Sequence, residues 1–482
     1  MTAAALRPRS HRELTEGQAA PRPVPGARQR IREMNARAGR RIVVLDDDPT
    51  GSQVVHDVPV LTSWDDEDLR WAFAQPAGTF FVLTNSRSLG EQATRDLLED
   101  VDSRLQRVAA ELGTEVVVLS RCDSTLRGHY PLETDVLQAA ATRRGTPYDA
   151  VLLAPAYFDA GRVTVDDVHY ARVDDSFLPV GQTDYATDDA FGYASSNLLE
   201  WVQEKSGVDA ALVHRISLTD IRTGGVEHVT DLLLEARDGA VVVVNALEES
   251  DYEIVVLALG AAEATGWRAV CRVGPGFVPV RAGIDRRAPL EPAEMAAGRG
   301  GRGLVVIGSH VQLTTRQVDA LLELPDLVSV ELDVPALLTD DGAAELERCG
   351  TALLAAEGDV VLMTSRTRFV GAGGEASLDG ARRVSAGLVE LTRRAVGATE
   401  LAWVVAKGGI TSHDVATEGL EIRRATVLGQ LFPGIVSVWR AEPAADGDDR
   451  LAGLPYVVFA GNVGDDTTLR DAVQVLRQVP GA

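Results

Sequence analysis

Along the first half of the chain one unit recurs: a short run of β-branched and aliphatic residues that stops abruptly in a polar loop carrying Gly or Ser. RIVVLDDDPTGSQ comes first, followed by TFFVLTNSRSLG, EVVVLSRCDSTLRGH and DAVLLAPAYFDAGR. Continuous apolar runs are what a strand covered on both faces requires, since neither side of its pleat meets water. The segments between them read as helices; in EQATRDLLEDVDSRLQRVAAEL the leucines and valines recur at helical spacing and form one stripe. Strands alternating with helices predict a mainly parallel sheet flanked by helices, and in such sheets ligands bind beyond the carboxyl ends of the strands. All four polar loops should therefore share one rim.

The pattern weakens after the fourth loop, apart from another strand at AVVVVNA, and breaks in VPVRAGIDRRAPLEPAEMAAGRGGRG, whose Pro, Gly and Arg content reads as linker. It restarts in GLVVIGSHVQLTTRQVDALLE, and DVVLMTSRT, LAWVVAKGGITSHDVA and YVVFAGNVGDDTT repeat the plan. The expected organisation is an N-terminal arm over residues 1–40, a first α/β domain over 41–280, a linker over 281–302 and a second α/β domain over 303–482. A length of 482 residues suits two cores of ordinary size. The arm is rich in Arg, Ala and Pro and poor in acids. An organelle-targeting segment shares that composition, but an extended, disorder-compatible arm is the simpler expectation.

Charge narrows the partners. A net charge of −24 argues against nucleic acid or anionic lipid, because binding a phosphate backbone relies on a field of Lys and Arg. Local arginines can still oppose that field around a small anion. Three widely spaced cysteines, Cys122, Cys271 and Cys349, indicate neither a disulfide framework nor a CxxC metal site, so a reducing, cytoplasmic setting is expected. No apolar stretch approaches the roughly 20 residues of a membrane helix. Of the 47 basic residues only Lys205 and Lys407 are lysines, so each lysine is worth inspecting.

Asp46, Asp47 and Asp48 close the first apolar run side by side. Like charges repel, and a helix N-cap needs only one acid. Two functional readings fit. LDDDPTG matches the DxDxT nucleophile motif of haloacid-dehalogenase-like phosphatases, with Asp46 as nucleophile and Asp48 as acid/base. That chemistry also needs a well-placed lysine, and Lys205 sits in the helical EWVQEKSGVD. Alternatively, Asp47, Asp48, Thr50 and Gly51 form a DDxTG loop in which carboxylates accept from ligand hydroxyls and Gly51 lets the backbone approach closely.

The other loops extend the second reading. SRCDSTLRGH supplies Asp123 and Ser124 for hydroxyls, Arg127 as a planar fork for a carboxylate or phosphate, and Gly128 to keep the loop open. TNSRSL adds Asn85, Ser86 and Arg87, and GRVTVDDVHY adds Gly161, Arg162, Asp166, Asp167 and His169. A lone arginine usually serves a surface ion pair, whereas three on loops of one rim point to an anion. His169 reads as a hydrogen-bonded loop residue, with no other His at metal-ligand spacing. The first domain is thus suited to a small polyol carrying one negative group.

The second domain turns to glycine and hydroxyls. Gly308 and Ser309 lie between a strand and a helix; Lys407, Gly408, Gly409, Ile410, Thr411 and Ser412 follow another strand; Gly461, Asn462 and Gly464 follow a third. Backbone amides at such turns face anions readily. No GxxxxGK[ST] occurs and no GxGxxG follows a strand, which excludes a P-loop and leaves nothing calling for a dinucleotide fold. A nucleotide with Mg²⁺ fits these three loops.

Taken in order, DDxTG, DSTLRG, a GRxT loop, a strand-GS turn, KGGIT and GNVG resemble the four-carbon acid sugar kinase family, from about Arg41 to Leu476. The resemblance implies a two-domain α/β fold with the active site in the cleft between the domains, acid sugar on the N-terminal one and ATP on the C-terminal one. It implies phosphorylation of threonate, erythronate or 3-oxo-tetronate at the terminal hydroxyl. Carried onto this chain, Asp47, Thr50, Ser86, Arg87, Ser124, Arg127, Gly161 and Arg162 become the sugar-acid site, and Ser309, Gly408, Gly409, Ile410, Thr411, Gly461, Asn462 and Gly464 the ATP site. Asp48, with Asp123 as second choice, is the expected base. Lys407 and Mg²⁺ are expected to offset charge on the transferring group. No metal ligands are assigned, and a homodimer is kept open as the assembly. His129 stands where many relatives carry Asn, and Pro49 where another apolar residue is usual, so the acid sugar is not specified. A non-catalytic sugar-acid sensor is the remaining alternative, against which the glycine loops of the second domain speak.

Overall fold

The computed structural model describes residues 6–296, 298–366, 374–444 and 450–481. Residues 1–5 of the expected arm, Ala297 of the linker and Thr367 of DVVLMTSRT lie outside the described residues. The chain divides into two compact units, one comprising 6–55 and 64–286 among the described residues, the other His56–Ser63 with 287 onward.

In chain order the strands are β1 (Arg40–Asp46), β2 (Val58–Leu61), β3 (Thr79–Leu83), β4 (Glu115–Arg121) and β5 (Ala150–Ala154). Next come β6 (Arg162–Val165), β7 (Val168–Val173), β8 (Ser176–Pro179), β9 (Val213–Ile216), β10 (Ala240–Val244) and β11 (Ala269–Val273). Then follow β12 (Arg302–Ile307), β13 (Leu327–Leu332), β14 (Asp359–Thr364), β15 (Leu401–Lys407), β16 (Arg424–Phe432), β17 (Val436–Ala441) and β18 (Pro455–Phe459).

In the first unit β3, β1, β4, β11, β5, β10 and β9 lie side by side, every pair parallel. The register aligns Asp46 with Leu83 and with Arg121, and Arg121 with Val273, so the carboxyl ends of these strands form one edge. Ile42, Val43 and Val44 are fully buried, as the apolar run requires. The helix Glu91–Glu111 buries Leu98, Val101, Leu105 and Val108, the stripe read from spacing. Each such aliphatic side chain contributes about 1.5–3 kcal/mol on full burial. A separate antiparallel sheet, β6-β7-β8, turns at Asp166 and Asp167, whose φ values of 51° and 66° suit a tight hairpin.

Residues 6–40 are more ordered than an extended arm. Leu14 is buried among Val163, Tyr170 and Phe177, and the backbone of Arg9 pairs with Phe177. The helix Ala27–Arg37 buries Ile31, while Arg28 meets Glu249 and Glu253, both at 3.0 Å. Local composition missed this because the partners lie far along the chain.

In the second unit β13, β14, β12, β15 and β18 are parallel, and β17, β16 and β2 continue the sheet antiparallel. Val305, Trp403, Val457 and Phe459 form its core with Val318, Leu321, Leu469 and Val473 from helices. β2, which falls within the range expected for the first domain, pairs antiparallel with β16, Leu61 opposite Arg424 and Val58 opposite Val427. All four of its residues are buried, and β16, which covers one side of the strand, lies far along the chain.

Candidate functional site

The first unit gathers its acids and guanidiniums where β1, β3 and β4 end. Asp46 and Asp47 are 2% and 1% exposed and face Arg121, itself 3% exposed. Arg121 Nη2 contacts the Asp46 carboxylate and Nη1 lies 3.0 Å from Asp47 Oδ1. Its guanidinium fills the space where Gly51 has no side chain; a Cβ there would overlap it, so Gly51 is needed for packing. Burial pushes Arg121 down to about 10. Burial likewise pushes the Asp47 carboxyl up to about 8, opposed by Arg87 and reinforced by Glu133, Asp48 and Asp123. Neither Asp47 oxygen has a hydrogen-bond donor among the described residues.

Asp48 turns the other way. Its Oδ1 caps the short 3-10 turn Pro49–Val54 by accepting from the Thr50 backbone at 2.8 Å and from the Thr50 hydroxyl, while Oδ2 receives Arg87. Arg87 Nη1 lies 3.7 Å from Asp123, and Arg127 Nε donates to Asp123 at 2.6 Å. Burial alone would raise Asp123, but Arg87 and Arg127 outweigh it and hold the carboxyl well below the usual range. Tyr185 lies beyond, with the guanidinium carbons of Arg127 and Arg162 at 5.2 and 6.0 Å from its ring centroid. Asp48, Thr50, Arg87, Asp123 and Arg127 are therefore joined directly, and Tyr185 links Arg162 to them.

Other residues named from the sequence sit beneath this surface. Ser86 is fully buried and donates to Glu133 at 2.7 Å; Glu133 also receives Arg272 at 2.5 Å. The Ser124 carbonyl accepts from His169 Nε2 at 2.8 Å. A carbonyl only accepts, so Nε2 carries the proton and Nδ1 accepts from Thr164 Oγ1 at 2.9 Å. Burial pushes His169 down to about 4, which keeps the ring neutral. Gly161, at φ 69°, packs against Arg172, and Asp167 holds Asn245 and Arg215 at the hairpin turn. Arg121, Glu133, Arg272 and Tyr185 were not singled out in the sequence. Arg121 had a signal, a basic residue ending an apolar run inside an informative loop; Tyr185 lies in the stretch without a clear pattern and had none.

In the second unit the ends of β12, β15 and β18 converge. Ser309 is the meeting point: its hydroxyl lies 3.0 Å from Thr314 Oγ1, which donates to the Gly461 carbonyl at 3.0 Å. A Cβ on Gly461 would stand 2.7 Å from Ser309 Oγ, and one on Gly408 3.2 Å from Thr411 Oγ1 and 3.4 Å from Ser309 Cβ. Gly408 has φ 119° and Gly464 φ 82°, both in the region that favours glycine. Gly409 opens the short helix Gly409–Asp414; Ile410 beside it is 60% exposed and Asn462 is exposed, leaving an open face over the loops. Arg366, not anticipated, donates to the Ser309 carbonyl at 2.7 Å.

Lys407 lies under this cradle. It is fully buried, donates to the Ala460 carbonyl at 3.1 Å and stands 3.9 Å from the Phe459 ring centroid. Burial pushes its ammonium down to about 7. Among the described residues no three His, Cys, Asp or Glu side chains are grouped to hold a metal.

Residues 42–281 match a family model described as a sugar-binding N-terminal domain, and residues 304–469 one described as a nucleotide-binding C-terminal domain. A D-threonate kinase of Salmonella typhimurium is 25% identical over 75% of this chain and 81% of its own length. A D-threonate kinase of Bordetella bronchiseptica is 27% identical over 91% of this chain and 98% of its own. A 3-oxo-isoapionate kinase of Paraburkholderia graminis is 38% identical, but the match spans only 28% of this chain and 31% of that relative. Solved structures of a Salmonella typhimurium and a Haemophilus influenzae protein share the fold, with TM-scores of 0.64 and 0.59 at 17% and 16% identity. Each match covers 90% of this chain, with 98% and 99% of the two neighbours. The two domain models, matched in order over most of the chain, mean that it belongs to the four-carbon acid sugar kinase family, whose members are carbohydrate phosphotransferases.

Proposed function

We propose that this protein is an ATP-dependent kinase that phosphorylates the terminal hydroxyl of a four-carbon acid sugar of the threonate, erythronate or 3-oxo-tetronate type. One observation carries the reading: Asp48, Arg87, Asp123 and Arg127 run as an unbroken series of ion pairs along one strand-end rim. Carboxylates there can accept from hydroxyls while guanidinium forks receive the acid group of the same ligand. The names of the relatives support the acceptor class, and the nucleotide-binding domain model supports ATP as donor.

Asp48 is the proposed base. Its side chain keeps 14% exposure where Asp46 and Asp47 are closed off, and it stands on a turn rigidified by Thr50. Asp123, held low by two guanidiniums, is the weaker proton acceptor. Ser309, Thr411 and the glycines at 408, 409, 461 and 464 are proposed to hold the triphosphate through backbone amides. Lys407 acts from below, fixing Ala460 and with it the loop that begins at Gly461. Mg²⁺ bound with the triphosphate would supply charge neutralisation. Phosphate oxygens, water and one or two carboxylates suffice for it, so a chain without a three-residue cage among its described residues suits that mode. Transfer further requires that the acceptor hydroxyl reach the γ-phosphate with water excluded. The same reading assigns the enzyme to the cytoplasm, with its three cysteines unpaired.

A coupled assay of ADP release with threonate, erythronate and their 3-oxo forms tests the proposal. Release that depends on one of these acids supports it. Release of phosphate from sugar phosphates without nucleotide would rule it out in favour of a phosphatase.

A further inference from the structure

Arg162 differs from the other rim arginines in its company. Arg87 serves Asp48 and Asp123, and Arg127 serves Asp123, with Asp188 at 3.8 Å. Among the described residues Arg162 donates instead to uncharged groups: Nη1 to the Ala160 carbonyl at 2.7 Å and Nη2 to the Tyr185 hydroxyl at 3.3 Å. Its Nε is buried without a partner among the described residues. The chain has 71 acidic residues against 47 Lys and Arg, so acids to pair with it were not scarce. A guanidinium left uncompensated beside a site already rich in carboxylates is placed to receive a negative charge from outside.

Tyr185 explains how two like charges sit near each other. Its ring faces both Arg127 and Arg162, and the negative face of an aromatic ring attracts a cation on either count. The short turn Asp184–Thr187 that carries it is anchored by buried Ala186, whose backbone amide donates to the Thr183 carbonyl and whose carbonyl accepts from Tyr193, both at 3.1 Å. Tyr193 in turn donates through its hydroxyl to the Thr125 carbonyl at 2.7 Å, tying this turn to the loop that bears Asp123 and Arg127.

We propose that Arg162 and Arg127, set by the Tyr185 ring, clamp the carboxylate of the acceptor, and that Tyr185 is the positioning residue that selects an acid over an uncharged polyol. Arg87, less exposed than Arg127 at 20% against 29%, bridges Asp48 and Asp123 and holds that side of the rim. This inference rests on the sugar-acid kinase reading above.

The test is steady-state kinetics of wild type, Arg162→Gln, Arg162→Lys, Tyr185→Leu and Tyr185→Phe. Each is assayed with the preferred four-carbon acid and with the corresponding neutral tetritol as acceptor. Arg162→Gln should raise KM for the acid roughly 100-fold and erase the preference for acid over tetritol, with Arg162→Lys intermediate because it keeps charge but not the fork. Tyr185→Leu should raise KM for the acid about tenfold, and Tyr185→Phe, which keeps the ring, about threefold or less. KM for ATP should stay within about twofold in all four, a split that a merely structural role would not give. An unchanged acid KM in Tyr185→Leu, or equal rises for acid and ATP, overturns the assignment while leaving the kinase reading intact. Should Tyr185→Leu not fold, Arg162→Gln and Tyr185→Phe still decide the matter, since an unaltered acid preference in Arg162→Gln contradicts the clamp. A wild type that turns over no sugar acid overturns both the clamp and the kinase reading.

Discussion

The guanidinium of Arg121 lies directly against the carboxylate of Asp46, and both side chains are 3% exposed. The pairing leaves Asp46 no open face for an incoming phosphoryl group, which weighs against its use as the nucleophile of a phosphatase. It also explains how three adjacent aspartates can end one strand: Arg121, aligned with Asp46 on the neighbouring strand, offsets two of them from within. Replacing Arg121 with Leu leaves the buried Asp46 carboxylate without its guanidinium and should destabilise the first unit by about 3–5 kcal/mol. The drop in its thermal midpoint checks this, and Arg121→Lys should restore part of the loss.

Asp48 differs from Asp46 in facing the rim. Asp48→Asn keeps its shape and its acceptance from the Thr50 amide but removes the proton acceptor, so kcat should fall roughly 100-fold or more. KM for the sugar acid should change little. Activity equal to wild type would remove the base assignment.

In the glycine cradle, Gly408→Ala forces a side chain into φ 119° with its Cβ near Thr411 and Ser309, a local cost of about 1–3 kcal/mol. The expected outcome is a higher KM for ATP with an unchanged KM for the sugar acid. Gly461→Ala, pressing on Ser309 Oγ, should act in the same direction.

Lys407 gives a pH prediction. Its ammonium is pushed down to about 7 in the folded chain, against 10.5 in the open chain. Between about pH 7 and 10.5 the unfolded state keeps a proton that the folded state has released, so this lysine makes stability rise with pH across that window. Below about 7 both states are charged and the dependence vanishes. Thermal midpoints of wild type and Lys407→Met, compared from pH 6 to 10, should diverge in the wild type's favour as pH rises; parallel curves would contradict the shift.

Much of this architecture could be read from the chain because its signals are local. Apolar runs ending in polar loops announce parallel strands, and once those are parallel the loops must share an edge; Asp48, Arg87 and Asp123 meet there for that reason. What local pattern could not supply were long-range debts of burial. β2 lies within the range expected for the first domain and is not among the strands read from the pattern, yet it pairs with β16, more than 360 positions away. The arm's composition reads as extended, yet Leu14 packs against Val163, Tyr170 and Phe177, and Ile31 is buried. Ser86 looked like a ligand hydroxyl and faces Glu133, a contact across 47 positions. Tyr185 had no periodicity around it, and its role is visible only through the two arginines it touches.

The most direct measurement is nuclear magnetic resonance of the product formed from ATP and a four-carbon sugar acid. The account predicts one phosphate ester on the terminal carbon, formed in step with ADP. Inorganic phosphate appearing from ATP at the same rate with or without the acid, or a phosphate placed on any other oxygen, would contradict it.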